Sequence, residues 1–346
     1  MKKFVLLLIA SLGCSLSFVC GAEAQTEPFY QGKTIRIVVG FPTGGIVDAW
    51  ARLLAMHIGK HLPGKPDVIV QNMGGAGSMI AANHLYNLAK PDGLTLGMIS
   101  TALYFDQLAG KKEVQFDWAK FQWIGSPVRN YEIFAVRSDT LFKSVEDIRK
   151  AAQPPKCGST GTGTTSYYFP KFLEEALGIK FHMVAGYPGT RDIEVAMERG
   201  EVHCYGQTKE ILTRDPSKGW LKRGFIRVLV QGGSSRDAGM AEVPTIYELM
   251  EKYRTPEEIK RVAPVLLSPG ASGRPMIAPP ALPAERVKHL RDAYQKTLGD
   301  PDFLDAAKKR GWEVERITGE ELEAIARKAV SQPPDTVERL KKIMGE

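Results

Sequence analysis

The chain has 346 residues, 43% of them hydrophobic and 25% charged, with a formal net charge of +7. Such a length and apolar fraction are typical of a globular protein of about two domains with a sizeable core. Lysine and arginine are scattered singly or in short groups, without a dense basic patch interleaved with aromatic residues. Composition therefore argues against nucleic-acid binding and favours at most a mild preference for small anions.

Residues 1–24 have the features of a secretory signal peptide. Two lysines precede an apolar stretch, and Ala22-Glu23-Ala24 has the small-x-small spacing of a cleavage site. A membrane anchor is the alternative, but a glycine and two serines interrupt the apolar stretch. A lipoprotein is disfavoured because no leucine-like residue stands three places before Cys14 or Cys20. We expect export to the periplasm and cleavage, with the mature chain beginning near Gln25.

Cleavage leaves two cysteines, Cys157 and Cys204. An oxidising periplasm permits one disulfide between them. Each cysteine also lies in an apolar, strand-like run, where a buried free thiol is at least as common. Both alternatives stay open on the sequence alone, with free thiols preferred.

The first part of the mature chain alternates strand-like and helix-like runs. The predicted strands are 35–40, 67–72 and 95–100, and the predicted helices are 47–61 and 78–89. This βαβαβ order predicts a parallel sheet with helices on its faces. The strand runs are apolar without alternation, as expected for strands that are covered on both sides.

The alternation restarts after residue 131 and predicts a second α/β unit. Its elements are a strand at 132–137, a helix from Ser144 with Asp147 at the capping-box position, a strand at 156–160, a helix at 165–177, a strand at 180–186, a helix at 190–199, a strand at 201–206, a polar helix after Thr208 and a strand at 226–231. The tail adds a short strand at 263–269, a helix near 283–298 and two more helical stretches. We expect one lobe at 25–127 plus 232–346 and another at 128–231, with part of the tail packing across both.

Glycine-rich or hydroxyl-rich turns follow four of these strands, at 40–48, 74–78, 100–101 and 158–166. Ligands of open α/β sheets bind at this end of the strands. Glycine lets the backbone approach a ligand, and the first turn of the next helix leaves N–H groups unpaired. The turns therefore predict an anion site, and the threonine and serine hydroxyls at 158–166 suit a carboxylate. The alternative is that they are only tight strand-to-helix turns.

Motifs for nucleotides, metals and catalysis are incomplete. Residues 40–48 contain no P-loop lysine, and 74–78 lack the third glycine of a dinucleotide fingerprint. No G-x-S-x-G or H-E-x-x-H motif occurs, and His57 and His61 have helical spacing without a third ligand. The sequence therefore predicts no cofactor and no metal. Asp48 is interpreted as a brace for its turn rather than as a general base.

Five segments in chain order carry a family resemblance: YQGKTIRIVVGFPTGGIVDAWARLL, VIVQNMGGAGSMIAANHLY, KPDGLTLGMIS, GSTGTGTTSYYF and AGYPGTRDIEVAMERGEV. Together they resemble the periplasmic solute-binding receptors of tripartite tricarboxylate transporters, the Bug or TctC family. The resemblance covers essentially the whole mature chain. It implies a monomeric, two-lobed α/β periplasmic binding protein of the type II kind, with a mostly parallel sheet in each lobe. Such a receptor closes over a small organic carboxylate and delivers it to membrane permease subunits.

The resemblance also implies the site residues, because the family grips a carboxylate with backbone N–H groups of one loop from each lobe. The first loop supplies Thr43, Gly44, Gly45 and Ile46, braced by Asp48, and the second supplies Thr160, Gly163 and Thr164. Ser78, Ser100, Tyr187, Thr190 and Asp192 are expected to line the remainder. The family's usual Tyr-Lys-Gly is Tyr187-Pro188-Gly189 here, which removes a cation for a second carboxylate. The alternatives are an exported hydrolase or lyase acting on an organic acid, and a sensory partner of a membrane signalling protein.

Overall fold

The computed structural model describes residues 28–213 and 217–345, so the predicted signal peptide at 1–24 lies outside the described residues. The strands are β1 (Thr34–Val39), β2 (Asp67–Asn72), β3 (Thr95–Met98), β4 (Gln122–Ser126), β5 (Glu132–Arg137), β6 (Lys156–Gly158), β7 (His182–Val184), β8 (Cys204–Thr208), β9 (Ile226–Gln231), β10 (Met276–Ala278) and β11 (Ile317–Thr318). The helices are α1 (Ile46–Ile58), α2 (Met79–Asn87), α3 (Leu103–Ala109), α4 (Val145–Lys150), α5 (Thr165–Leu177), α6 (Thr190–Glu198), α7 (Ser217–Lys222), α8 (Ile246–Lys252), α9 (Glu257–Leu266), α10 (Ser268–Ser272), α11 (Ala284–Leu298), α12 (Pro301–Lys309), α13 (Gly319–Val330) and α14 (Pro334–Met344).

The strands form two sheets, in the orders β11-β4-β10-β3-β1-β2 and β7-β6-β8-β5-β9. β1 pairs in parallel with β2 and β3, and β6 pairs in parallel with β7 and β8. β10 runs antiparallel to β3 and β4, and β5 runs antiparallel to β8 and β9. The two-lobed α/β fold is confirmed. Its sheets are mixed rather than mostly parallel, because β5, β10 and β11 each run antiparallel to the strands beside them.

The predicted elements before residue 232 agree with the structure to within a few residues, and β5 and α5 have the predicted bounds. Ser144 caps α4 as predicted, since its hydroxyl accepts the Asp147 N–H at 3.2 Å. The predicted strand at 263–269 is wrong, because α9 and α10 occupy that stretch. Ile259, Val262 and Leu266 are buried at helical spacing, and this apolar stripe decides the local structure despite Pro264 within the helix.

The C-terminal tail is divided between the two sheets. α11 and α13 pack on β4, and α12 packs on α1, as expected for the first lobe. α8 and α9 instead pack on α5 of the second unit, and α14 contacts both α3 and α5. The sequence analysis placed 232–346 with lobe one and expected part of this tail to pack across both lobes, and the buried faces of α8 and α9 meet the second unit. The lobe boundaries themselves stay a prediction.

Cys157 and Cys204 form a disulfide, so the preference for free thiols was wrong. The two residues are direct partners in the parallel pairing of β6 with β8, and their Cα atoms are 4.6 Å apart. Sheet register, which the sequence could not supply, brings the thiols together across a separation of 47 residues. Among the described residues, no helix has both the length and the apolar character needed to cross a membrane.

Candidate functional site

A cavity of about 210 Å³ lies where the loops after β1, β3, β6 and β7 meet the end of β8. It is lined by Phe41, Pro42, Thr43, Gly45, Ile46, Val47, Ile99, Ser100, Thr101, Thr160, Thr164, Thr165, Ser166, Gly189, Thr190, Arg191, Asp192, Gln207, Thr208 and Arg274. Both sheets contribute walls, with the strand ends facing the cavity as expected for α/β folds. The cavity is therefore the cleft that the sequence predicted between the two units.

Three helices begin at this cavity. α1, α5 and α6 start after Gly45, Thr164 and Gly189, and each of these capping residues lines the cavity. Within the described chain, no side-chain hydrogen bond caps any of these three helices. The first N–H groups of a helix have no partner inside the helix, and the helix dipole adds about half a positive charge there. The cavity wall is thus rich in donors and in positive potential.

Asp48 holds the first turn from behind rather than facing the cavity. It is 3% exposed, and its Oδ2 accepts the Gly44 N–H at 2.9 Å. Arg52 and Asn72 also donate to this carboxylate, and Asn72 donates to the Phe41 carbonyl at 2.9 Å as well. Burial would raise the pKa of Asp48, but these hydrogen bonds outweigh it and lower the pKa. The ionised carboxylate therefore keeps Gly44 in its left-handed conformation, with φ +84°.

The hydroxyl groups of the second turn bond mainly to one another. The Thr160 hydroxyl donates to Thr164 Oγ1 at 3.1 Å, and the Thr164 hydroxyl donates to the Gly161 carbonyl at 2.6 Å. Ser166 Oγ accepts the Thr160 N–H at 3.1 Å. These hydroxyls shape the turn. The donors that remain for a ligand are mainly the backbone N–H groups at the start of α5.

The two units touch along one rim of the cavity. The Ser100 hydroxyl donates to the Gly163 carbonyl at 2.5 Å, and the Thr162 hydroxyl donates to Asp106 Oδ1 at 2.8 Å. A Cβ atom added to Gly163 would lie 2.7 Å from Asp106 Oδ2. Gly163 therefore belongs to the contact between the units, and a larger residue there would have to displace Asp106 or Leu103.

Eight of the thirteen residues predicted for the site line the cavity: Thr43, Gly45, Ile46, Ser100, Thr160, Thr164, Thr190 and Asp192. The other five do not. Gly44 and Asp48 lie behind the first turn, and Gly163 lies at the rim. Ser78 is buried, and its hydroxyl oxygen accepts the Ser100 N–H at 3.1 Å. Tyr187 packs against the apolar cluster beside β5 and β9.

Arg274 is the most informative residue that the sequence reading missed. It begins the turn into β10, and its side chain is 13% exposed at the cavity. Gly273 precedes it with φ +64°, and a Cβ there would lie 1.5 Å from the Val128 carbonyl oxygen. The Arg274 N–H donates to Ser126 Oγ at 2.9 Å. The Gly-Arg pair was the available signal, but only the antiparallel return of β10 brings it to the cleft.

The guanidinium of Arg274 is held on two sides. Its Nε donates to Glu210 Oε2 at 2.9 Å, and its Nη2 donates to Thr208 Oγ1 at 2.7 Å. Glu210 is 6% exposed and also accepts hydrogen bonds from the Trp50 indole and the Asn130 amide. The arginine is therefore rigid, and its charge is paired with a buried carboxylate. Among all the residues that the structure describes, no group of three or more His, Cys, Asp or Glu side chains is arranged to hold a metal ion.

Comparison with known proteins decides the family. The profile of the "Tripartite tricarboxylate transporter family receptor", TctC, matches residues 50–342. The chain belongs to this receptor family. The resemblance found in the sequence is thereby confirmed. A curated relative of the receptor, the "UPF0065 protein in gbd 5'region" of Cupriavidus necator, is 26% identical over 324 residues, which cover 92% of this chain and 90% of the relative.

Solved structures show the same fold. The periplasmic binding protein BugD superimposes with a TM-score of 0.71 at 23% identity, covering 91% of this chain and 98% of BugD. MatC from Rhodopseudomonas palustris with bound malate superimposes with a TM-score of 0.70 at 20% identity, covering 90% and 99% of the two chains. The two-lobed architecture of the receptor is therefore that of periplasmic binding proteins.

Glu132 is a buried carboxylate where the chain crosses from the first unit to the second. Glu132, the first residue of β5, is fully buried, and its Oε1 accepts the Tyr168 hydroxyl at 2.6 Å. Its Oε2 has no hydrogen-bond partner in the described chain. Burial raises the pKa of Glu132 to about 7, although the Tyr168 hydroxyl and the charge of Arg274 act to lower it.

We expect Glu132→Gln to stabilise the protein at pH 8 and to change its stability little at pH 5. The pKa of Glu132 is about 7 in the folded state against 4.5 for an ordinary glutamate. The folded state thus keeps a proton that the unfolded state releases, and wild-type stability falls as pH rises through this window. The full shift corresponds to roughly 3 kcal/mol. Urea unfolding of both proteins at pH 5, 6, 7 and 8 measures this difference in the free energy of unfolding.

The exposed Glu242→Gln serves as the control for that experiment, since it removes one carboxylate without changing a buried site. Its pH profile should follow the wild type. Parallel profiles for wild type and Glu132→Gln would contradict the raised pKa.

Proposed function

We propose that this protein is a periplasmic receptor that captures a small carboxylate between its two lobes and delivers it to a tripartite-type membrane permease. One observation carries the proposal: three helix N-termini, those of α1, α5 and α6, open onto a single cavity of about 210 Å³. Converging N-termini form an anion site from the backbone alone. The backbone donors at its wall suit the binding of an anion.

Backbone donors are sufficient for useful affinity. A hydrogen bond to a charged group contributes about 1.5–3 kcal/mol net. Three or four such bonds reach roughly micromolar affinity after the ligand's loss of freedom. Closing the cleft strengthens them further by lowering the local dielectric. No dedicated cation is needed for one carboxylate.

Four further observations support the ligand class, the transport role and the location. MatC, which shares the fold, holds malate. The family is named for its tripartite transporters, which supports delivery to a permease. A signal-like N-terminus and a disulfide agree with an oxidising periplasm.

The test is to heat the purified mature protein with a panel of mono- and dicarboxylates and to analyse each stabilising ligand afterwards. A ligand at 100 times its Kd should add about 2.7 kcal/mol to the free energy of unfolding. We expect at least one carboxylate to raise Tm by several degrees and to be recovered chemically unchanged. Turnover of the ligand would assign an enzyme instead, and no stabilisation by any carboxylate would refute the receptor.

Native mass spectrometry of protein purified without refolding provides an independent reading. A resident small acid should appear as a mass increment that disappears on dialysis. Pull-down of membrane proteins with the liganded protein then distinguishes a permease from a signalling partner.

A further inference from the structure

The charged residues that line the cavity, taken together with their ion-pair partners, nearly balance before any ligand enters. Arg274 pairs with Glu210 at 2.9 Å, and Arg191 lies 3.4 Å from Glu194, whose side chain is fully buried. Asp192 adds a carboxylate to the lining. Two cations thus stand against three anions, and both cations have an acidic neighbour.

Arg274 lines the cavity and nevertheless keeps hydrogen-bonding capacity. A guanidinium has five N–H groups. Two of them are used, by Glu210 and by Thr208. In residues 28–213 and 217–345, no hydrogen-bond acceptor is found for the other three. Because Glu210 and Thr208 fix its plane, Arg274 offers a pre-oriented set of donors whose charge is already compensated.

Binding a second ligand carboxylate beside Arg274 would be electrostatically unfavourable. It would lose its hydration, and the charge of Arg274 would have to be shared with Glu210. A buried charge without its own counterion is costly. A neutral acceptor, such as an amide or ketone oxygen, uses the same donors without adding charge. The three helix N-termini together supply about one and a half positive charges, enough for one carboxylate beside Asp192.

Resting on the proposed function, we infer that Arg274 and Glu210 together select a monocarboxylate whose far end carries a neutral hydrogen-bond acceptor, and discriminate against the dicarboxylate of equal length. The helix N-termini hold the single carboxylate. Arg274 acts as a specificity-determining donor to the other end. Glu210 sets the charge preference without touching the ligand.

Matched ligand pairs test this inference. Each pair is a diacid and its monoamide, which have nearly the same shape and differ by one charge: glutarate and glutaramate, adipate and adipamate, terephthalate and 4-carbamoylbenzoate. Calorimetric titration at pH 7.5 gives both affinities for the mature wild-type protein. We expect the monoamide of the best-fitting pair to bind at least tenfold more tightly than its diacid.

Glu210→Gln should reverse that preference. Glutamine has nearly the same shape and keeps one acceptor oxygen, for either Trp50 or Asn130, but removes the charge, so Arg274 becomes an uncompensated cation. The diacid should then bind more tightly than the monoamide. Asn130→Ala is the matched control, because it removes one neutral donor from Glu210 and leaves the charge in place. It should retain the preference for the monoamide.

The outcomes separate the two proposals. Diacids that bind the wild type as tightly as or more tightly than their monoamides would overturn this inference and leave the receptor function standing. An unchanged preference in folded Glu210→Gln would also overturn it. Should that variant not fold, the wild-type ratio alone decides. If neither these acids nor simple monocarboxylates bind, the receptor function fails and this inference fails with it.

Discussion

Gly45→Phe is expected to abolish carboxylate binding while the protein stays folded. Gly45 lines the cavity and caps α1 with φ −77° and ψ 168°, a conformation open to any residue. The nearest heavy atom to an added Cβ is the Pro42 carbonyl oxygen, at 3.8 Å. A phenyl ring therefore fits the backbone and occupies the ligand's space. Loss of two or more charge-assisted bonds corresponds to a drop in affinity of at least about 100-fold.

Calorimetry with the best carboxylate measures this loss, and thermal melting reports on the fold. Gly45→Ala is the matched control, because its single methyl group meets only ordinary contacts and should weaken binding less than about tenfold. Gly163 is a poor choice for this purpose, since a side chain there meets Asp106 and Leu103 at the contact between the units. If Gly45→Phe binds the carboxylate with an affinity within threefold of the wild type, the N-terminus of α1 is not part of the binding site.

Loss of the Cys157–Cys204 disulfide should lower the free energy of unfolding by about 4 kcal/mol in the chain-entropy account of a loop of this length. The bond joins neighbouring strands across 47 residues of sequence. Without it, the unfolded chain gains conformational freedom. Because the turn at 158–166 follows β6 directly, we also expect the second binding loop to open more readily.

Urea unfolding of the Cys157→Ala/Cys204→Ala double variant measures the cost. The wild type with a thiol reductant should match the double variant, and the reductant should not change the variant itself. Equal midpoints for the oxidised wild type and the double variant would show that the bond contributes nothing to stability.

Local signals in the sequence were enough to place the two turns that line the cavity. Thr43, Gly45 and Ile46 follow β1, and Thr160 and Thr164 follow β6, so each set lies in one strand-turn-helix unit. Such units depend on contacts a few residues apart, which hydrophobic period and turn composition report well. The same reasoning failed at 263–269. There a short apolar run was taken for a strand, although its apolar residues continue the buried face of α9.

The sequence alone could not identify the residues that long-range strand pairing brings to the cleft. Arg274 comes from the tail, and its place depends on β10 entering antiparallel between β3 and β4. Gln207 and Thr208 end β8, whose neighbours are set by the register of the second sheet. Sheet order and strand direction arise from the packing of whole layers of secondary structure. No short stretch of sequence encodes that packing.

By itself, the sequence indicated the α/β class, most element positions and the two glycine-containing turns, because these depend on local periodicity and backbone freedom. The family was indicated separately, by the resemblance of five segments to known receptors, and comparison confirmed it. Only the tertiary structure decided the disulfide, which tail helices pack on the second unit and the paired charge of Arg274 and Glu210. These three depend on which distant strands and helices become neighbours. That choice is made by the burial of apolar surface over the whole chain.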